Sequence, residues 1–224
     1  MKPMTEQHLA VLRRHMVEIV DMHFDLAADE IGKDEIDPQL RLALLSVPRH
    51  LFVPQALAIM AYQDGPLPIG FEKTISQPFI GALMLDLLRL GAGMRVLEVG
   101  TGLGYQAAVM AEIGAEVFSV EVVEEFAEAA QARFSALGYG VQVRIGDGMR
   151  GWAEHAPFDA VLVTAAADEP PPELLEQLAP GGRMVVPLGD GDVQQLSVVE
   201  KARDRSISTR NLMPVRFTRL ETAR

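Results

Sequence analysis

The 224-residue sequence contains no cysteine. This absence excludes disulfide bonds, thiolate metal sites and cysteine nucleophiles, so any catalysis must use other groups. The sequence also lacks long hydrophobic runs. Hydrophobic residues make up 49% of the chain, but glycine, proline or a charge interrupts every run well short of the roughly 18 residues that a membrane span needs. We therefore expect a protein without a membrane segment.

The N-terminus lacks the features of a secretory signal. Residues 1–16 (MKPMTEQHLAVLRRHM) mix acidic and basic groups with apolar ones and contain no uninterrupted apolar core. Together with the absence of cysteine, which fits a reducing compartment, this pattern predicts a cytoplasmic location.

Basic residues are scarce and scattered. The chain has 20 Lys and Arg against 31 Asp and Glu, a formal net charge of −11. A negative surface repels phosphate backbones, so no nucleic-acid partner is expected. The same field would repel any anionic substrate, and local charge at its binding site would have to overcome that repulsion.

The first third of the chain is predicted to be helical, with two irregular stretches. Apolar residues recur at helical spacing over residues 6–29, and a second helix is expected at Pro38–Leu45. Residues 47–54 (VPRHLFVP) contain two prolines, and residues 64–77 show no sustained period. Both stretches are expected to lack regular structure.

From residue 78 onward, helices and strands alternate, which predicts a mostly parallel sheet. Two late runs flank the polar turn 202–205 and predict an antiparallel hairpin at the end of the chain. The predicted helices are Pro78–Arg89, Tyr105–Glu112, Val123–Leu137 and Pro172–Leu178, and the predicted strands are Arg95–Val99, Glu116–Glu121, Val141–Ile145, Phe158–Val163, Arg183–Pro187, Gln194–Lys201 and Ser206–Phe217. We therefore expect an α/β fold with a doubly wound sheet of seven strands.

A glycine-rich turn follows the first strand of this region, with Gly100, Gly102 and Gly104 in the pattern G-x-G-x-G. A dinucleotide fingerprint, G-x-G-x-x-G, would need its third glycine at the position of Tyr105. Glycines let the backbone approach a ligand closely, and the start of the next helix presents free N–H groups. The pattern here is typical of S-adenosylmethionine-dependent methyltransferases.

Acidic residues lie beside this turn. Glu98 ends the first strand and Glu121 ends the second, so both belong to the edge of the sheet where ligands bind, and Glu121 is suited to accept both ribose hydroxyls. Asp147, in the turn GDG at residues 146–148, is suited to accept from an adenine amino group. An alternative is that the three glycines form nothing more than a tight turn and that Asp147 only stabilises a turn between its two glycines. The glycine turn, Glu98, Glu121 and Asp147 taken together favour a cofactor site.

These motifs resemble those of the protein L-isoaspartyl O-methyltransferases. The likeness extends from Val47 to Leu220 through VPRHLFVP, LPIG and TISQP, VLEVGTGLGYQAAV, GDG, APFDAVLVTAAA, LLEQLAPGGRMVVPLG and PVRF. It implies a Rossmann-like methyltransferase fold with a terminal hairpin, S-adenosyl-L-methionine as cofactor, and methyl esterification of isoaspartyl residues in damaged proteins and peptides. The ester then cyclises and returns the residue to aspartate. The resemblance assigns the family's active-site serine to Ser76.

The chemistry of an isoaspartyl carboxylate agrees with this assignment. Its pKa is about 4, so at neutral pH it is already the nucleophile and needs no general base. Thr74 and Ser76 offer hydroxyl donors to hold it. An alternative is that Ser76 only caps the helix that begins near Pro78.

Residues 71–73 depart from the family pattern, which commonly has a small residue and Gln before TIS. Lys73 is predicted to face the substrate and attract anionic peptides; the alternative is a local ion pair with Glu72 or Asp64. The N-terminal helical region also looks longer than usual, which leaves a monomer or a homodimer open.

Other functions remain to be excluded. Residues 163–173 (VTAAADEPPPE) lack the D/N-P-P-aromatic motif of nucleic-acid amino-methylating enzymes. A methyltransferase acting on a different carboxylate or small molecule, and a non-catalytic cofactor-binding regulator, stay as alternatives. His8, His15 and His23 share a helix face, but no acids converge on them by motif, so no metal site is predicted.

The sequence therefore predicts one compact domain, in which residues 1–77 form an N-terminal helical extension with substrate-binding loops and residues 78–224 form the cofactor-binding core. The catalytic residue is Ser76. The predicted substrate-binding residues are Ile69, Lys73, Thr74, Ser76 and Gln77. The predicted cofactor-binding residues are Glu98, Gly100, Thr101, Gly102, Gly104, Glu121, Val122, Asp147, Gly148 and Thr164.

Overall fold

The structure, a computed structural model, describes residues 5–221. The outer ends of the two predicted segments, residues 1–4 and 222–224, lie outside this range. The helices are α1 (Glu6–Leu26), α2 (Ala28–Ile31), α3 (Pro38–Ser46), α4 (Pro78–Leu87), α5 (Tyr105–Glu112), α6 (Glu124–Leu137) and α7 (Pro172–Gln177). The strands are β1 (Leu67–Gly70), β2 (Lys73–Ile75), β3 (Arg95–Val99), β4 (Glu116–Glu121), β5 (Gln142–Ile145), β6 (Phe158–Val163), β7 (Leu178–Leu188), β8 (Gln194–Lys201) and β9 (Ile207–Val215). Within residues 5–221, no helix has both the length and the apolarity to cross a membrane.

Strands β3 to β9 form a seven-stranded sheet in the order β5-β4-β3-β6-β7-β8-β9. The first five strands pair in parallel, and β7, β8 and β9 pair antiparallel. The predicted doubly wound sheet with a C-terminal hairpin is confirmed. The chain builds outward from β3 through β4 to β5 and then returns to the other side of β3 with β6. Ligands of such sheets bind at this switch point, outside the carboxyl ends of the strands.

The residues predicted to be irregular contain short regular elements. Residues 67–75 form an antiparallel hairpin, β1–β2, in which Leu67 pairs with Ile75. Its turn residues, Phe71 and Glu72, have φ values of 48° and 58°, whereas turns of this kind usually carry Asn or Gly, so the sequence offered no turn signal. Between the prolines of residues 47–54, Arg49–Phe52 forms a 3₁₀ turn.

Helix α1 begins with reciprocal bonds between Thr5 and His8, a capping box, and ends at Leu26, before the predicted end at residue 29. Its apolar face is buried against the core helices, where Phe24 packs edge-on against Phe79 of α4. The N-terminal helical extension is therefore part of the hydrophobic core.

An ion pair also joins the extension to α4. The Lys33 ammonium donates to both carboxylate oxygens of Asp86, at 3.0 and 2.9 Å, and the backbone N–H of Asp37 donates to the same carboxylate at 2.8 Å. Asp86 is buried, so the three hydrogen bonds from these two donor groups replace the water that burial removes.

Alternation along the central strands sends side chains to opposite faces of the sheet. Val96 and Val117 belong to the cluster covered by α1, α3, α4, α5 and α6. Leu97 and Phe118 belong to the second cluster, on the side of α7. Because side chains alternate with a period of two, Glu98 faces the first layer of helices.

Gly104 precedes α5 in a conformation that few other residues adopt. Its φ is +95°, and a Cβ atom at this position would lie 2.5 Å from Cζ of the buried Phe134 in α6. Gly138, at the end of α6, has a comparable φ of +79°, but a Cβ atom there would meet no other atom within 4 Å.

We expect Gly104→Ala to lower the free energy of unfolding by about 2 to 4 kcal/mol, because the left-handed backbone costs about 1 to 2 kcal/mol and overpacking adds a similar amount. Gly138→Ala, the matched control, should cost only the backbone part. Urea denaturation followed by circular dichroism measures both. Equal losses in the two variants would show that contact with Phe134 carries no cost.

Candidate active site

Two adjoining cavities lie at the carboxyl ends of β3, β4 and β6. The larger has a volume of about 820 Å³ and the smaller about 90 Å³. They share the lining residues Ile69, Thr74, Gly100, Gly102, Thr164 and Thr218. The glycine turn after β3 thus forms a wall common to both cavities.

The hydroxyl of Thr164, just after β6, holds the beginning of the glycine turn. It donates to the carbonyl oxygens of Val99 and Gly100, at 3.0 and 2.8 Å. Gly100 has a φ of +93°, and a Cβ atom there would overlap the Thr164 oxygen. The close approach of the two strands therefore requires glycine at position 100.

Glu121, at the end of β4, holds the same turn from the other side. One carboxylate oxygen accepts from the backbone N–H of Gly102 at 2.7 Å, and the other accepts from that of Val123 at 2.9 Å. The side chain is buried and lines the smaller cavity. Each carboxylate oxygen can accept a further bond, so Glu121 can hold the turn and two ligand hydroxyls together.

Glu98 is fully buried beside the larger cavity. The β3–β4 register sets it opposite Ser119, whose hydroxyl donates to Oε2 at 2.5 Å, and Thr101 lies 2.6 Å from the same hydroxyl. The other carboxyl oxygen, Oε1, is buried without a partner.

Burial raises the pKa of Glu98 to about 8, an effect that the bond from Ser119 opposes and the nearby Glu121 charge reinforces. In the protein alone, Glu98 is therefore largely neutral at pH 7. An unpartnered buried oxygen at a cavity wall is suited to a ligand that brings its own hydrogen-bond donor, above all a cationic one.

The TISQ segment forms another wall of the larger cavity, with contributions from Thr74, Ser76 and Gln77. Helix α4 begins at Pro78 with Gln77 as its N-cap residue and has no side-chain cap. The alternative that Ser76 caps this helix is therefore wrong, and its hydroxyl is not used for that purpose.

Two groups support this segment from behind. The buried guanidinium of Arg49 donates to the carbonyl oxygens of Ser76, at 2.6 Å, and Ala61, at 2.8 Å. Asp64 accepts from the Gln77 amide at 3.0 Å and bonds to the His23 ring at 2.7 Å. The N-terminal extension thus reaches the wall of the cavity through His23, a connection between distant residues that no sequence motif indicated.

Lys73 lies beside a different cavity from Ser76. It lines the smaller cavity, not the larger one that Ser76 lines, and its ammonium forms an ion pair with Glu221. The predicted local pair with Glu72 or Asp64 is wrong: Asp64 is bound to His23 and Gln77, and the partner of Lys73 lies near the opposite end of the chain.

The other predicted site residues surround the two cavities, with one exception. Asp147 lines neither cavity, and its Oδ1 accepts from the backbone N–H of Met149 at 2.9 Å, as in an ordinary Asp turn. The larger cavity is lined by Ile69, Thr74, Ser76, Gln77, Glu98, Gly100, Thr101, Gly102, Gly104 and Thr164. The smaller is lined by Ile69, Lys73, Thr74, Gly100, Gly102, Glu121, Val122, Gly148 and Thr164.

A segment that was not identified from the sequence, residues 214–218 at the end of β9 and just beyond it, lines the larger cavity. It is held by two backbone bonds of 2.8 Å, from Ala166 N–H to the Thr218 carbonyl and from Leu220 N–H to the Ala166 carbonyl. The only signal was the PVRF motif, which marked the family likeness without indicating a place in the site.

The sequence matches one known family over most of its length. The family model described as Protein-L-isoaspartate(D-aspartate) O-methyltransferase matches residues 26–224. Protein-L-isoaspartate O-methyltransferase 1 of Polaromonas sp. strain JS666 is 49% identical over 221 residues, which cover 98% of this chain and 94% of that protein.

Two solved structures have the same fold. A protein-L-isoaspartate O-methyltransferase superposes with a TM-score of 0.79 and 30% identity over 92% of this chain; the match covers 65% of that protein's length. A putative Plasmodium falciparum protein-L-isoaspartate O-methyltransferase, solved in complex with S-adenosyl-L-homocysteine, has a TM-score of 0.72 and 24% identity over 83% of this chain and 91% of its own. By the extent of these matches, this chain belongs to the protein-L-isoaspartate O-methyltransferase family.

Proposed function

We propose that this protein transfers a methyl group from S-adenosyl-L-methionine to the carboxylate of L-isoaspartyl residues in damaged proteins and so starts their repair. The observation that carries the proposal is the shared cavity: Ser76, Thr74 and the glycine turn with Glu98 line one 820 Å³ space. In this cavity, a substrate carboxylate bound by the Ser76 and Thr74 hydroxyls would face the methyl group of a cofactor bound at the glycine turn.

The cofactor fits the polar groups of the two cavities. Glu121 would accept from the ribose hydroxyls, and the unpartnered oxygen of Glu98 would accept from the ammonium of the methionine part. Val122 and Gly148 would lie beside the adenine, and Asp147 would accept from its amino group at the outer edge. When bound, the cofactor supplies a methyl group on a positively charged sulfur.

The protein's own residues orient the reactants and exclude water. The substrate carboxylate is ionised at neutral pH, so its oxygen attacks without a general base. Ser76 and Thr74 donate hydrogen bonds that orient it, and Arg49 keeps the Ser76 backbone in place. Phe52 and Ile69 form apolar parts of the cavity wall. They reduce the water around the carboxylate and the sulfonium, whose opposite charges cancel as the methyl group is transferred.

We also propose the remaining assignments made from the sequence. The protein acts in the cytoplasm, which the absence of cysteine supports, and binds no nucleic acid, which the net charge of −11 supports. It acts as a monomer or homodimer. Residues 1–77 supply the helical extension and substrate loops, and residues 78–224 the cofactor core, of one compact domain.

We expect the protein to methylate an isoaspartyl peptide at least tenfold faster than the same peptide with normal aspartate, because the two isomers present their carboxylates at different distances from the backbone. Methanol release after base hydrolysis of the ester measures both rates. Equal rates would point to a methyltransferase for carboxylates in general, and no methylation of either peptide would favour a non-catalytic cofactor-binding protein.

We expect Glu121→Ala to weaken S-adenosylhomocysteine binding by about 1.5 to 3 kcal/mol, the range for hydrogen bonds to a charged group. Ser76→Ala should lower turnover and leave this affinity within about twofold. Glu125→Ala removes an exposed acid from the first turn of α6 and serves as the control for charge. Calorimetric titration gives the affinities. A Ser76 variant that loses the cofactor as severely as the Glu121 variant would contradict the division of roles.

We expect cofactor binding at pH 7 to release close to one proton, because the pKa of Glu98 is raised to about 8 in the free protein and a bound ammonium favours the carboxylate. The release should disappear above pH 9, where Glu98 is already ionised. Calorimetry of S-adenosylhomocysteine binding in phosphate and Tris buffers counts the protons. Glu98→Gln should abolish the release, and an unchanged count in that variant would assign the proton to another group.

A further inference from the structure

The larger cavity carries a local charge opposite to that of the whole protein. Among the described residues that line it, only Glu98 and Arg216 have carboxyl or guanidinium side chains. Glu98 is largely neutral in the free protein at pH 7, because burial raises its pKa to about 8. With the cofactor bound, the ionised carboxylate would be paired with the cofactor's ammonium. The formal charge of the cavity wall therefore comes from Arg216.

Arg216 is exposed and lies in the segment that follows β9. Within residues 5–221 no carboxylate lies within ion-pair distance of its guanidinium. Its charge is thus available to a ligand that enters the cavity.

The two cations of the smaller cavity differ from Arg216 in this respect. Lys73 pairs with Glu221, and Arg219 pairs with Asp168 and also donates to the Gly189 carbonyl. With Glu121 and Glu221 also lining the smaller cavity, its formal charges cancel. An anionic peptide would therefore meet free positive charge in the larger cavity and not in the smaller one.

A second cation, Arg49, lies behind the wall of the larger cavity. It is fully buried and donates to the Ser76 and Ala61 carbonyl oxygens, with its guanidinium 4.8 Å from the centre of the Tyr105 ring. A peptide cannot reach it. Arg49 therefore adds the same positive potential for every substrate, and of the two arginines only Arg216 can select among peptides by charge.

We propose that Arg216 is a specificity residue of the larger cavity, where it binds acidic side chains that flank the isoaspartyl residue. This inference rests on the proposed function, because it assigns the larger cavity to the peptide. It explains how a protein with a net charge of −11 can capture an anionic substrate. An exposed charge of this kind acts mainly on capture and is screened by salt, so it affects KM more than kcat.

The test compares two isoaspartyl peptides that differ only at the flanking positions, which are Glu in one and Gln in the other. We expect Arg216→Gln to raise KM for the acidic peptide about threefold to fivefold at low salt, to change KM for the neutral peptide less than twofold, and to leave kcat unchanged. The difference in KM for the acidic peptide between the wild-type protein and Arg216→Gln should vanish at about 0.5 M salt, where charges are screened over roughly 4 Å. Arg216→Lys should restore most of the preference.

Arg210→Gln provides the matched control. Arg210 is an exposed arginine of β9 that lines neither cavity. Its loss changes the net charge by the same amount as the loss of Arg216 and should leave KM for the acidic and the neutral peptide unchanged. Equal changes for the acidic and neutral peptides in Arg216→Gln, or the same loss in both arginine variants, would overturn the proposal.

Peptide affinity, measured by fluorescence anisotropy on protein saturated with S-adenosylhomocysteine, separates this inference from the proposed function. If the wild-type protein methylates neither peptide, the proposed function fails, and the anisotropy still reports whether Arg216 selects the acidic peptide. If the wild-type protein methylates both peptides and Arg216→Gln binds them with the wild-type preference, the inference alone fails.

Discussion

The glycine turn after β3 is held from both sides by the strands next to it, and the two cavities depend on that restraint. Thr164 donates to the turn from the end of β6, and Glu121 accepts from it at the end of β4. These bonds exist only because β3 lies between β4 and β6. At this point the chain stops adding strands on one side of β3 and begins to add them on the other. The topology therefore sets the position of a wall that the two cavities share.

Burial then sets the electrostatics of this site. Glu98 faces the helical layer because side chains alternate along β3, and it pairs with Ser119 because of the β3–β4 register. The absence of water raises its pKa and leaves one oxygen without a partner. The same burial that makes the carboxyl a receptive partner for a cationic ligand leaves it without a formal negative charge until such a ligand binds.

The N-terminal extension contributes to the site indirectly. Its helix α1 is packed into the core through Phe24, and from there His23 reaches Asp64, which holds the Gln77 amide. Arg49 holds the Ser76 carbonyl in a similar way. The segment predicted to bind substrate is thus restrained at two points, because Arg49 bonds to the Ser76 carbonyl and Asp64 bonds to the Gln77 amide.

The amino-acid sequence by itself determined the order of helices and strands in the core, the doubly wound sheet and the glycine turn with its two acids, because each depends on local periodicity or on residues close together in the chain. Only the tertiary structure decided that Lys73 pairs with Glu221, that Arg49 supports Ser76, and that Arg216 lines the larger cavity. These contacts join residues far apart in the chain, and a side chain's partner depends on which elements pack together, a property that no local pattern encodes.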